Sequence, residues 1–139
     1  QLSLKGCYSL SSLPPEIGKL TSLRILSMYF VGKEGGFLLA ELGVLKLKGD
    51  LHIWHMEKVK SVVDAKEANM STKKLNGLWL SWDKHNEEWE LQENVEEILE
   101  VLQPDTQQLE SLGVVGYKCY HFPQWMSCPS LKKLFIKGC

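Results

Sequence analysis

The spacing of leucines and their apolar substitutes constrains this chain more than any other feature. The pattern L-x-x-L-x-L-x-x-(N/C), with degenerate slots, recurs six times along the sequence. Its central pairs are Leu2/Leu4, Leu26/Met28, Leu51/Ile53, Leu78/Leu80, Leu112/Val114 and Leu134/Ile136, whose starts are 24, 25, 27, 34 and 22 residues apart. Within a pair the two residues are separated by one, so both project from the same face of a short strand. A unit of this size cannot bury that face alone and must stack on its neighbours. The pattern therefore predicts an α/β solenoid: a parallel, concave sheet with short helices and loops on the convex side.

Apart from the interval of 34, these spacings fall in the range of about 20 to 29 residues that leucine-rich repeats use. Strands are expected near 2–5, 26–30, 51–55, 78–82, 112–115 and 134–137, within one leucine-rich-repeat domain fragment spanning 1–139. The closing slot holds Cys7, Val31, Met56, Asp83, Tyr117 and Cys139. Few of these can act as the small polar plug of a regular repeat, so the solenoid should be irregular. Ser61 and Asp64 have the spacing of a capping box, and Val62, Val63, Ala65, Ala68 and Met70 would line one side of the helix that follows. Asn94 and Glu97 suggest a second helix start, with Val95, Ile98, Leu99 and Leu102 at i, i+3, i+4 and i+7. The long interval is then explained by an acidic loop at 84–93 ahead of that helix.

Composition narrows the function. A formal net charge of −1 leaves no overall basic surface for nucleic acid or an anionic membrane. The apolar runs are too short for a membrane span, which takes about 20 residues. Four cysteines at irregular spacing, Cys7, Cys119, Cys128 and Cys139, contain no CxxC and form neither a disulfide framework nor a metal motif. Cys119, His121 and Cys128 lack a second close pair, and Phe122, Pro123 and Trp125 look like a packed turn. The four histidines have no nucleophile or acid arranged around them, so no catalytic, cofactor or metal residue is assigned. The charge that does exist is segregated: residues 83–110 carry ten acids and one base.

The ordered set LSSLPPEIGKLTSLR (10–24), LKGDLHI (47–53), DAKEA (64–68), KKLNGLWLSW (73–82) and VLQP (101–104) resembles the leucine-rich region of plant intracellular disease-resistance proteins. These belong to the coiled-coil, NB-ARC, leucine-rich-repeat class. The resemblance implies a cytoplasmic immune receptor with a nucleotide-binding domain upstream. In such a receptor the repeats hold the switch inactive and respond to a pathogen effector or to a guarded host protein. The phosphate-binding motif G-x-x-x-x-G-K-[ST] does not occur, so no nucleotide is assigned to this chain. An F-box ubiquitin-ligase substrate receptor, or another intracellular repeat scaffold, is the alternative use of such repeats.

In a repeat sheet of this kind, partners meet the residues that alternate with the buried pairs. This places Tyr29, Trp54 and Trp79 on adjacent strands, with His52, His55 and Trp82 close by and Phe135 further along. Exposed Trp and Tyr are favoured anchors for protein partners. A register error of one residue would turn the same side chains inward.

Overall fold

The computed structural model describes residues 17–19, 21–32, 38–59, 61–83, 94–117 and 121–138. The first repeat pair, Pro14 and Pro15, and the acidic loop at 84–93 lie outside them. Among the described residues, five strands form one parallel sheet in sequential order: β1 (Met28–Phe30), β2 (Lys48–Trp54), β3 (Lys74–Ser81), β4 (Ser111–Val115) and β5 (Lys133–Lys137). Parallel neighbours need a crossover between them. Here those crossovers are 3-10 turns at Leu39–Leu42, Met56–Lys58, Met70–Thr72 and Gln124–Ser127, helix α1 (Val62–Glu67) and helix α2 (Val95–Val101).

Two rows of side chains cross the sheet on its buried face. One runs Leu51, Leu78, Leu112 and Leu134, the other Tyr29, Ile53, Leu80, Val114 and Ile136. In the middle three strands these residues are fully buried, and each such aliphatic side chain contributes about 1.5–3 kcal/mol. At β5, which has a described neighbour on one side only, Leu134 and Ile136 are exposed. Between β2 and β3 the ladder skips Asn76, pairing Gly49 with Leu75 and Asp50 with Gly77. This bulge brings Leu51 opposite Leu78 and so sets the rows that follow.

The pairing corrects the frame expected for the first described strand. Tyr29, not Met28, stands opposite Ile53, and Met28 stands opposite His52. The inward residue of β1 is thus Tyr29, one later than Met28. Leu23 and Leu26 are buried nonetheless. Both frames bring apolar groups to the core, and the hydrogen bond from the His52 amide to the Ser27 carbonyl, 2.9 Å, fixes the one adopted.

On the far side, successive repeats are tied by side chains that reach about one repeat along the chain. The Ala40 amide donates to Asp64 Oδ1 (2.8 Å), Asn69 Nδ2 to the Gly43 carbonyl (3.1 Å) and Trp125 Nε1 to the Leu99 carbonyl (3.1 Å). Ser61 caps α1 by accepting from the Asp64 amide at 3.3 Å. The Asp64 carboxylate meanwhile serves the preceding repeat, and burial raises its pKa. Val63, expected to line the inner side of α1, points outward and is exposed. The helix start expected at Asn94 is present, but Asn94 adopts a left-handed conformation, φ 56°, and makes no side-chain cap. Asn tolerates that region better than most residues, so α2 starts from a backbone turn. Val95, Ile98, Leu99 and Leu102 are buried as their spacing requires.

Lys73 is the most consequential of these ties. Its ammonium is buried and donates to the carbonyls of Ala68 (2.9 Å), Leu45 (3.0 Å) and Asn69 (3.4 Å), joining two repeats. Burial pushes its pKa down to about 8. Lys73→Met retains most of the apolar stem but removes the ammonium donor from the Ala68 and Leu45 carbonyls, so it should destabilise the fold by about 1–3 kcal/mol. Urea unfolding of the two proteins checks this; equal midpoints and slopes would contradict it.

Candidate protein-recognition face

The open face of the sheet is fixed by the same ladder. Its central row is Met28, His52, Trp79, Gly113 and Phe135, each opposite the next. Beside that row, Phe30 stands opposite Trp54, and Ser81 opposite Val115 and then Lys137. Phe30 and Trp54 stack with ring centroids 6.4 Å apart and planes 14° apart. Trp54 in turn stacks on His52, two residues earlier on its own strand, at 3.9 Å and 15°. Three flat groups from two strands thus form one continuous apolar surface, and Trp54 is 36% exposed.

Trp79 lies over two glycines. A Cβ at Gly113 would come within 2.2 Å of its Cδ1 and Nε1, and one at Gly77 within 2.9 Å of its Cζ3. The indole therefore rests flat across β3 and β4, a pose that any larger residue at Gly113 would lift. Beyond it, Phe135 is 51% exposed. Trp79, Leu112, Leu134, Phe135, Lys132 and Lys133 line a shallow groove of about 610 Å³ with an apolar wall and a basic rim.

His52 is the polar member of this surface. Its Nε2 lies 2.6 Å from Ser81 Oγ, and Ser81 is itself buried. Burial holds the imidazole down at about 4, so it is neutral near pH 7 and the contact is one of neutral groups. A neutral, hydrogen-bonded imidazole under an indole suits a binding surface better than proton transfer at neutral pH.

Of the seven residues expected on this face, His52, Trp54, Trp79 and Phe135 lie on it. Tyr29 does not. It is 1% exposed, its hydroxyl donates to the Leu38 carbonyl at 2.7 Å, and burial raises its pKa. The shifted frame of β1 turns it inward and puts Phe30, which sequence reasoning passed over, in its place. Trp82 is also corrected. It is 4% exposed and packs on Tyr117, ring centroids 5.3 Å apart, because it continues the inward alternation of Leu78 and Leu80. His55 sits past the end of β2, partly exposed, with its ring 6.2 Å from that of Phe30. The packed turn expected around Trp125 is present, with Trp125 buried and Phe122 against Tyr117 at 5.3 Å.

The His52 environment has a pH signature. In the folded chain the imidazole resists protonation down to about 4, whereas an unfolded histidine takes up its proton near 6.5. Between these values the unfolded state binds more protons, so stability falls as pH is lowered through this window. His52→Gln should lose less stability than the parent between pH 7 and pH 5 in urea titrations. An equal loss in both would contradict this account of His52.

Comparison with known proteins agrees with this architecture. Residues 39–139 match the family described as R13L1/DRL21 LRRs. The chain is 41% identical over 138 residues to a putative disease resistance protein RGA1 of Solanum bulbocastanum, covering 94% of this chain and 13% of that protein. It is 42% identical over 118 residues to the disease resistance protein RGA2 of the same plant, covering 84% of this chain and 12% of the relative. A putative disease resistance RPP13-like protein 1 of Arabidopsis thaliana is 34% identical over 114 residues, covering 76% and 11%. The chain thus spans only a small part of the length of these relatives. No solved structure matches it. The chain belongs to the R13L1/DRL21 family of leucine-rich repeats and corresponds to part of the repeat region of plant disease resistance proteins.

Proposed function

We propose that this chain is the protein-recognition and autoinhibition module of a plant innate-immune receptor. Its open face docks on the receptor's own nucleotide-binding domain at rest and is released when a pathogen effector, or a host protein the effector alters, competes for it. The observation that carries the reading is the aromatic strip: Phe30, Trp54, His52, Trp79 and Phe135 on the open face, contributed by four of the five strands, with Gly113 of β4 beneath the Trp79 indole. Stacked rings of limited side-chain freedom lose little entropy on binding and supply large contact areas, which is how most interface anchors work. The kinship with disease resistance proteins supports the immune setting. A cytoplasmic location and a nucleotide-binding domain upstream belong to the same proposal. Among the described residues no helix is long and apolar enough to cross a membrane.

The reading assigns the chain binding and no catalysis. Trp54→Ala combined with Trp79→Ala should weaken association with the receptor's nucleotide-binding domain by about 100-fold, the loss expected when two interface anchors of over 1 kcal/mol each are truncated. Far-UV circular dichroism of the variant should be unchanged, since both side chains lie outside the buried rows. Unchanged affinity in a folded variant would refute the proposal.

A further inference from the structure

At the exits of β4 and β5 the backbone turns through positive φ at a glycine, Gly116 (φ 80°) and Gly138 (φ 79°), two residues beyond Val114 and Ile136 of the buried row. The same position after β2, two beyond Ile53, has φ 64° but carries His55. A histidine pays a steric cost in this conformation that glycine does not. Strained positions of this kind persist where the side chain serves a purpose.

The position of the imidazole indicates that purpose. Its Nδ1 is buried and makes no hydrogen bond, although Glu57 Oε2 stands 3.4 Å away. Glu57 is fully buried, and its other oxygen accepts from the Asp83 amide at 2.9 Å. That bond orients the carboxylate with Oε2 toward the imidazole, the role that outer-shell partners play around metal ligands. The Asp83 side chain completes the group: donor atoms of His55, Glu57 and Asp83 all lie within 4.8 Å of one another. Metal–donor bonds of about 2.0–2.2 Å in tetrahedral array place neighbouring donors about 3.4 Å apart, which is the separation of His55 Nδ1 and Glu57 Oε2.

We infer that His55, Glu57 and Asp83 form a binding site for Zn²⁺. One nitrogen and two carboxylate oxygens suit this borderline cation, with the fourth position left to water or to a group from outside. Access exists through a pocket of about 260 Å³ lined by Trp54, His55, Ser81, Trp82, Asp83 and Val115. No close spacing in the sequence announces the site, because Asp83 comes from the repeat after His55 and Glu57. A bound ion would join the exits of β2 and β3 at the margin of the aromatic strip. The site does not depend on the proposed docking function.

The test is titration of the 139-residue chain with Zn²⁺ under reducing conditions, by calorimetry and by thermal unfolding, beside His55→Gly and Asp83→Asn. His55→Gly removes a ligand while giving the backbone the residue found at the equivalent turns, so it should fold at least as well as the parent. Asp83→Asn keeps the amide bonded to Glu57. The parent should bind one Zn²⁺ per chain at this site, with Tm raised by about 5 °C or more at a hundredfold excess over Kd. Each variant should bind it at least tenfold more weakly and lose the Tm shift. Absence of binding to the parent would overturn the inference, as would undiminished binding to His55→Gly.

Discussion

Everything else in this structure depends on the alignment of one inward-facing row, Tyr29, Ile53, Leu80, Val114 and Ile136, across five parallel strands. A strand has a two-residue period, so fixing which residue faces inward fixes every neighbour that faces outward. Burial of this row and of the leucine row beside it supplies the driving force. The ladder hydrogen bonds supply the register, and the bulge at Asn76 reconciles the two between β2 and β3. On the opposite side, buried or half-buried polar groups such as Lys73, Asp64 and Glu57 each satisfy a backbone group one repeat away. The apolar rows hold neighbouring repeats together, and the polar ties restrict how they slide.

Much of this was legible from the leucine spacing because a long, strong periodicity leaves few alternatives. The pairs Leu51/Ile53, Leu78/Leu80, Leu112/Val114 and Leu134/Ile136 all fall in the observed rows. The exception is informative. Around β1, Leu23, Leu26 and Met28 satisfy the repeat pattern, and all three are buried. Yet Tyr29 and Val31 are buried too, so local hydrophobicity supports two frames equally and only pairing with β2 separates them. Both helix starts were legible as well: α1 begins after Ser61 and α2 after Asn94, and only the side-chain cap at Asn94 is missing.

The same logic explains the recognition face. Where the inward row follows the leucine pairs, the aromatic residues between and just after them, His52, Trp54 and Trp79, lie on the open face; at β1 the shift exchanges Tyr29 for Phe30. Trp82 obeys the same rule. Its parity continues the inward series of Leu78 and Leu80, and its amide carries the ladder on to the Val115 carbonyl, so it is buried although it lies near the strip in sequence. The glycines were silent in sequence. Only the paired strands reveal that Gly77 and Gly113 make room for the Trp79 indole to lie flat.

The most direct test of the central claim is the relative cost of truncating two adjacent rings in β1, measured by urea unfolding. If the ladder sets direction, Tyr29→Ala should cost about 3–5 kcal/mol, as large-to-small changes in a packed core do, whereas Phe30→Ala on the open face should cost about 1 kcal/mol or less. A larger loss at Phe30 than at Tyr29 would mean that the first strand follows the Leu26/Met28 frame after all, and the strip described here would lose its first ring.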